Sequence, residues 1–305
     1  MSFVFKAKDD KKDNQPPLTP NEKEVSQIIK TAAADMSKAA TGSAVQAAIS
    51  TGNVDQVVNA FPWDAAAYTL GQTVTAFTRA TKGALGQGFP KVGFVGRFDY
   101  TDPRSIEYAT TQSAKLVTNM TTQMQEMVRK IIGRAFTERI PVYDTAAELS
   151  SVINLTARQE VTLGKFAELN RARLMEEGYS GRKLELKLNQ LVERQYKNMI
   201  DQRSKVIARN EILVAENNGR MLGFEQMVEQ GWASPVSMKR WSTSTDERTC
   251  PICMPMNGMS VQWNQYFPNG IYEPPAHIMC RCSISLLEPD SPLAQNRMPT
   301  GVLQP

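Results

Sequence analysis

Apolar residues recur at three- and four-residue steps in the middle of the chain, which is the spacing of one face of an α-helix. The clearest stretch begins at Asp102-Pro103 and continues to about Arg139. Asp102 suits the N-cap and Pro103 the first helical position. The apolar positions are Ile106, Ala109, Leu116, Met120, Met124, Met127, Val128 and Ile131. We predict a long helix whose methionine-rich stripe packs in a core.

Four further stretches have helical periodicity: 145–153, 156–178, 180–201 and 203–230. Thr156 and Gln159 form a capping box at the start of the second one, which should end near Gly178. Gly231 is expected to end the last helix as its C′ residue. Together these segments predict a helical body over residues 98–231.

The N-terminal third has weaker signals. Residues 1–20 are charged and proline-containing, which predicts a flexible arm. Residues 21–97 are expected to form helices interrupted at Gly42 and Gly52, followed by a glycine-rich connector that starts at Lys82. The connector lacks the Gly-Lys-Ser/Thr ending of a phosphate-binding loop, so we interpret it as a loop and not as a nucleotide site.

The pattern changes after Gly231. Residues 232–287 have little helical periodicity and are rich in Pro, Gly and aromatic residues. Three short strands are predicted: Val236–Trp241, Ser260–Trp263 and Arg281–Leu286. Residues 288–305 contain four prolines and suggest an extended tail. The predicted fold class is mainly α, with a long helical body followed by a small α+β C-terminal module.

Composition and charge narrow the class of protein. The chain has 305 residues, of which 41% are hydrophobic and 22% charged, with a net charge of +4. This is typical of a globular protein, and the mild positive charge permits an acidic or nucleic-acid partner without requiring one. No segment approaches the ~20 apolar residues needed to cross a bilayer, and Lys6–Lys12 interrupts any signal-peptide core. We therefore expect a protein of a reducing cytoplasm, without a membrane.

The cysteines predict a metal site. The four cysteines of the chain are Cys250, Cys253, Cys280 and Cys282. Such a local cluster in an intracellular chain is more typical of metal binding than of disulfides. The Cys-x-x-Cys pair can place two thiolates on one tetrahedral zinc. Cys280 and Cys282, if they lie on a strand, would face the same side and complete the site.

His277 is an alternative ligand, together with one of the last two cysteines. It is the only histidine of the chain. Five soft candidate donors favour a closed structural zinc site over a catalytic one, which keeps an open position. Free or redox-active thiols are the other interpretation, but a thioredoxin-like βαβ context is missing. Arg248 and Arg281 flank ligands and could offset the thiolate charge.

A second constellation suggests an enzyme. Arg209 in a predicted helix and Ser242-Thr243-Ser244 on a predicted strand are similar to the NAD-binding elements of ADP-ribosyltransferases. The Glu-x-Glu pair typical of those enzymes does not follow. This interpretation is kept as the weaker alternative, and no catalytic residue is assigned.

Several motifs together resemble the phage Mu F-like head morphogenesis family, also called minor head or minor capsid proteins. They are Ile207-Ala-Arg209-Asn-Glu211, Asn217-Asn-Gly-Arg220, Lys239-Arg-Trp241, Asp246-Glu-Arg-Thr-Cys250-Pro-Ile-Cys253, Gly258 and Pro274-Pro-Ala-His277-Ile-Met-Cys280-Arg-Cys282. The family pattern has Thr where Asn210 stands and Pro where Ile278 stands. Phe98-Asp-x-x-Asp102-Pro103 and Ile153-Asn-Leu-Thr156 extend the resemblance to residues 98–287.

The resemblance implies a structural, non-enzymatic component of a tailed-phage virion, in the capsid interior or at the portal vertex, made in the host cytoplasm. Its implied partners are the portal protein, the major capsid protein and packaged double-stranded DNA, and its implied role is head assembly or genome delivery. The alternative function is a DNA-binding zinc module. The helical candidates for DNA contact are Arg129, Lys130, Arg134 and Arg139.

Overall fold

The computed structural model describes residues 16–89, 97–244, 246 and 249–288. Within these ranges the chain forms nine α-helices followed by a three-stranded sheet. The helices are α1 (Pro20–Ala40), α2 (Ser43–Ser50), α3 (Val54–Asn59), α4 (Trp63–Gly71), α5 (Thr73–Ala84), α6 (Pro103–Glu138), α7 (Val142–Val152), α8 (Ala157–Glu176) and α9 (Gly181–Glu229). The strands are β1 (Met238–Ser242), β2 (Ser260–Gln262) and β3 (Ser283–Leu287). The predicted fold class is confirmed.

The helix starts follow local capping chemistry. Asp102 accepts a hydrogen bond from the backbone N–H of Arg104 at the start of α6, and Pro103 occupies its first turn, as predicted. The Thr156–Gln159 capping box at the start of α8 is also confirmed. A second capping box, between Thr19 and Glu22, begins α1. Side chains thus satisfy backbone N–H groups that the helices themselves leave free.

The long helix α6 buries the predicted stripe except for its first residue, Ile106, which is exposed. Leu116, Met120, Met124, Met127, Val128 and Ile131 are all buried in one hydrophobic cluster. The same cluster includes apolar residues of α1, α3, α4, α5 and α7, together with the middle of α9. The methionines therefore serve as core residues of the helical body, and not as a free apolar surface.

The prediction of two helices over 180–201 and 203–230 is wrong, because α9 is one helix of 49 residues. At 1.5 Å per residue it is about 74 Å long. Ile200, Ser204 and Ala208 continue one buried face through the expected break. The hydroxyl of Ser204 lies 2.9 Å from that of Ser26 on α1, so tertiary packing holds the helix through this polar stretch.

The three-stranded sheet has the order β2-β1-β3 with antiparallel pairing throughout. The predicted strands are present, with each end shifted by at most two residues. Trp241 on the central strand is fully buried, and its ring lies edge-on to Phe267 with centroids 5.0 Å apart. Met221 and Phe224 of α9 belong to the same cluster, so the C-terminal end of α9 packs in the core of the sheet region.

Parts of several predictions lie outside the described residues: most of the arm 1–20, the connector over 90–96, Arg248, and the tail after residue 288. No helix among the described residues is both long and apolar enough to cross a membrane.

Candidate metal centre

Cys250 and Cys253 lie on a tight turn between β1 and β2. The backbone N–H groups of Cys253 and Met254 donate to the carbonyl of Cys250 at 3.1 and 2.9 Å. The N–H of Cys253 also lies 3.3 Å from the sulfur of Cys250. A short 3₁₀ turn, Met254–Met256, follows. The turn directs backbone N–H groups towards the first sulfur, as expected where a thiolate must be stabilised.

The second half of the site comes from the segment before β3. Cys280 and Cys282 would face the same side if both lay on a strand, but β3 begins only at Ser283. Instead, the N–H of Cys280 donates to the carbonyl of His277 at 3.1 Å, and Met279 adopts a left-handed conformation with φ 66°. A turn, and not strand alternation, therefore brings these side chains together.

The five predicted donors meet around Cys253. The Nε2 atom of His277 lies 2.9 Å from the sulfur of Cys250 and 3.2 Å from that of Cys253. The sulfurs of Cys253 and Cys280 are 3.8 Å apart. Cys253, Cys280 and Cys282 form a second group whose sulfurs all lie within 4.8 Å of one another. A cavity of about 20 Å³, the size of a single small atom or water, lies among them.

His277 is oriented like a metal ligand. Its Nδ1 atom lies 2.8 Å from the carbonyl oxygen of Ile278, to which it can donate a hydrogen bond. That bond leaves the lone pair of Nε2 directed at the sulfurs of Cys250 and Cys253. Metal-binding histidines commonly donate their other ring N–H in this way.

The cysteines differ in their tendency to ionise. A hydrogen bond from Cys282 lowers the pKa of Cys280 to about 5. The same contact, together with burial, raises the pKa of Cys282. Burial acts to raise the pKa of Cys250, but hydrogen bonds from the backbone and side chain of Cys253 outweigh it and the net pKa is lowered. Burial raises the pKa of Cys253 to about 12. Cys250 and Cys280 are thus the thiols that ionise most readily.

The donor set fits a tetrahedral ion that prefers sulfur and imidazole. Zinc–sulfur bonds of ~2.3 Å and zinc–nitrogen bonds of ~2.0 Å require ligand atoms roughly 3.3–3.8 Å apart. The Cys253–Cys280 contact of 3.8 Å lies in this range, and the contacts of His277 with Cys250 and Cys253 are shorter, at 2.9 and 3.2 Å. All four cysteines are free thiols and none is in a disulfide. The residues present therefore fit a zinc ion.

An ion pair lies beside the thiols. Arg281 contacts both carboxylate oxygens of Asp246, at 2.7 and 2.5 Å. This carboxylate raises the pKa of Arg281, so the guanidinium stays charged next to Cys280 and Cys282. The pair also joins the two halves of the site, because Asp246 precedes Cys250 and Arg281 lies between the last two cysteines.

The predicted DNA-contacting residues of α6 are engaged within the protein. Arg129 pairs with Asp55 at 2.6 Å. Lys130 pairs with Glu160, and Arg134 pairs with Glu148. Arg139 ends the helix in a left-handed conformation. These pairs offset three of the four charges on which the DNA-contact hypothesis for α6 depends.

The two residues behind the ADP-ribosyltransferase alternative lie in different surroundings. Arg209 follows Ala208, which packs in the core of the helical body, and its guanidinium binds the carbonyl of Pro16. Ser242 ends β1 opposite Ser283, next to Trp241 in the core of the sheet region. No hydrogen bond among the described residues joins the two side chains.

Sequence reasoning did not identify two charged residues next to this region, one of them buried and the other partly buried. Lys239 on β1 has no exposed surface, and Glu273 lies four residues before His277. Burial lowers the pKa of Lys239 to about 7 and raises that of Glu273 to about 7. For Lys239, the only indication in the sequence was its position on a predicted strand. This strand is the central one, and both of its faces are covered.

Comparisons with known proteins agree with the motifs. Residues 168–285 match the family model described as Phage Mu protein F like protein. No curated protein and no solved structure matches the chain. The matched range contains α9, β1, β2, the first three residues of β3 and every candidate metal ligand. The chain is therefore similar to the phage Mu F-like proteins over residues 168–285, which is less than half of its length.

Proposed function

We propose that the protein is a structural minor head protein of a tailed phage, placed at the portal vertex or in the capsid interior. Its neighbours would be the portal protein and the major capsid protein, and its role would be head assembly or genome delivery. The observation that carries the proposal is the family match over 168–285. No catalytic step is assigned, because the sole histidine of the chain lies among the thiols of the metal centre.

Within this role, the metal centre would hold one structural zinc. The proposed ligands are Cys250, Cys253 and His277, whose donor atoms lie within 4.8 Å of one another, and Cys280, whose sulfur lies 3.8 Å from that of Cys253. The thiol of Cys282 would donate a hydrogen bond to Cys280. The supporting observation is the position of His277 Nε2 between the first two sulfurs. The rival ligand set has four thiolates, with Cys282 in place of His277.

Zinc would connect segments that have little regular structure between them. The described residues between β1 and β3 contain one three-residue strand and one short 3₁₀ turn. Three of the cysteines lie in the same cluster as Trp241 and Phe267. A metal that joins the two turns would therefore stabilise the core around Trp241, since binding free energy becomes folding free energy in such modules.

In this proposal, packaged DNA lies next to the protein in a filled head, and the protein does not bind a specific DNA sequence. The ion pairs of Arg129, Lys130 and Arg134 leave α6 with little net positive charge to offer. A DNA-binding zinc module would instead require affinity that falls steeply with salt, because released counterions drive such binding.

The test is co-sedimentation of the purified full chain with portal oligomers of the same phage. We expect the chain to sediment with portal rings at physiological salt, and a Cys250→Ser variant to sediment less if zinc orders the contacting module. Absence of the wild-type chain from the portal fraction, combined with salt-sensitive DNA binding, would overturn the portal proposal in favour of the DNA-binding one. NAD turnover that depends on Arg209 would point to the enzyme.

A further inference from the structure

A cleft of about 380 Å³ lies between α6, the C-terminal part of α9 and the segment that precedes the metal-binding turn. Its size falls at the lower end of the ~300–1,000 Å³ typical of small-molecule sites. The walls combine two aromatic rings, two aliphatic side chains and two carboxylates: Tyr108, Tyr272, Met221, Leu222, Glu225 and Glu273. Glu107 and Thr111, both exposed, lie at its opening. The cleft is separate from the metal centre.

The carboxylate of Glu273 is the most unusual group in this wall. Its Oε2 atom is buried and has no hydrogen-bond partner among the described residues. Burial raises the pKa of Glu273 to about 7, while the charge of Lys239 and a contact with Asn218 act in the opposite direction. Lys239 is not close enough to form an ion pair in the structure. A buried carboxylate oxygen without a donor is costly, which points to a missing positively charged or hydrogen-bonding group.

The remaining charges make the cleft negative. Burial raises the pKa of Glu225, and its nearest cation, Arg104, lies 3.4 Å away. Arg104 already holds Asp102 at 2.7 Å and Glu229 at 2.9 Å, so its charge is shared among three carboxylates. The local field is therefore set by the glutamates.

Neighbouring carboxylates oppose the ionisation of both tyrosines in the cleft. Burial raises the pKa of Tyr272 to about 12, with further contributions from the charges of Glu225 and Glu273. Burial also raises the pKa of Tyr108, and Glu273 and Glu211 add to the effect. A phenol whose ionisation is opposed by neighbouring carboxylates lies where a cation would be stabilised.

The arrangement does not suit a bound divalent metal. In the described part of the chain, the groups of His, Cys, Asp and Glu that converge closely enough to share an ion are those of the cysteine–histidine centre. Calcium and magnesium need several oxygens around one point. Separated carboxylates, aromatic faces and aliphatic walls instead match a flexible hydrocarbon chain with ammonium groups at its ends.

We propose that this cleft binds an aliphatic diamine or polyamine, with one ammonium on the carboxylate of Glu273, a second near Glu225, and the hydrocarbon chain along Met221, Leu222 and the ring of Tyr108. The inference uses none of the metal ligands and is independent of the proposed head function.

Calorimetric titration of the full, zinc-loaded chain with 1,4-diaminobutane and with spermidine tests the proposal. We expect saturable binding of the polyamine, and at least tenfold weaker binding of butylamine. 1,4-Butanediol and Mg²⁺ should show no binding at this site. Glu273→Gln and Glu225→Gln should each lower the affinity at least tenfold. Glu126→Gln, which changes an exposed carboxylate of α6 outside the cleft, should leave it unchanged.

Proton release gives an independent readout. The charged groups that face Glu273 are Lys239 on β1, Arg104 on α6 and Glu225 on α9. Because the carboxyl must ionise to pair with an ammonium, affinity should increase from pH 6 to pH 8, and binding near pH 7 should release a proton in the wild type but not in Glu273→Gln. Equal affinities of the wild type and Glu273→Gln, with native near-UV dichroism in both, would overturn the proposal. Equal binding of Mg²⁺ or the diol would do so as well.

Discussion

The Nζ atom of Lys239 lies 3.4 Å from the centre of the Tyr272 ring. The side chain has no exposed surface, and within the described structure Nζ has no hydrogen-bond partner. Phe267 offers a second, more distant ring at 5.5 Å. The ammonium is therefore held by aromatic faces and by the field of Glu273, which replace only part of its lost hydration.

This relationship predicts that Lys239→Met stabilises the protein at pH 6. Burial lowers the pKa of Lys239 from 10.5 to about 7, so the folded state binds this proton less tightly than the unfolded state does. The destabilisation is full below pH 7 and disappears as the pH rises from 7 to 10.5. At pH 6 Glu273 is mostly protonated, so the substitution leaves no isolated charge. The expected gain is about 1–4 kcal/mol.

Urea unfolding of the wild type and Lys239→Met at pH 6, 8 and 10 measures the effect. The difference in free energy of unfolding should be largest at pH 6 and should shrink towards pH 10, because the lysine of the unfolded state then also approaches its pKa of 10.5 and holds its proton less tightly. A variant that is less stable than the wild type at pH 6 would contradict this account of Lys239.

The contact between α5 and α9 depends on Gly219. A Cβ atom at this position would lie 2.1 Å from the carbonyl oxygen of Thr81, which is backbone and cannot rotate away. Gly223, one turn later, is in the same situation against Leu85. We expect Gly219→Ala to force the helices apart and to reduce the free energy of unfolding by about 1–3 kcal/mol.

Gly164→Ala is the matched control for that substitution. Gly164 is also helical, in α8, but a Cβ there would meet nothing within 4 Å. Gly164→Ala should raise the free energy of unfolding by about 0.5–1 kcal/mol, because alanine forms helices more readily than glycine. Thermal unfolding of both variants, followed by far-UV circular dichroism, measures the two effects. Equal effects of the two substitutions would show that close packing at Gly219 is unimportant.

Local chemistry explains what could be predicted from the sequence. The Asp102-Pro103 start, the Thr156–Gln159 capping box and the methionine stripe depend on residues within a few positions of one another. The cysteine spacing likewise indicated which donors would meet. The contacts of Lys239 and Glu273 could not be predicted, because they depend on which strand becomes central and which segment covers it.

Single substitutions distinguish the two proposed sets of zinc ligands. Cys250→Ser and Cys253→Ser should each release the metal and unfold the region around Trp241 while most helical dichroism remains, because the core of the helical body is a separate cluster. His277→Ala should lower zinc affinity far more than Cys282→Ser does if the ligand set contains His277.

The measurements are zinc per chain by elemental analysis and the visible spectrum of the cobalt-substituted protein. Full zinc content in Cys250→Ser would rule out the site, and loss in Cys282→Ser but not in His277→Ala would favour four thiolates.

The continuity of α9 predicts the outcome of proline substitution at the position where the sequence suggested a break. Gln202 is exposed, so Gln202→Pro changes little in side-chain packing but removes a backbone hydrogen bond and introduces a clash with the preceding turn. Within a continuous helix this should reduce the free energy of unfolding by about 3 kcal/mol or more. Arg182→Pro is the control, because it lies in the first turn of α9, where proline is tolerated. If chemical denaturation gives both variants wild-type stability, α9 is interrupted near residue 202 in solution; a large loss in Gln202→Pro alone supports one helix that connects the helical body to the metal-bearing region.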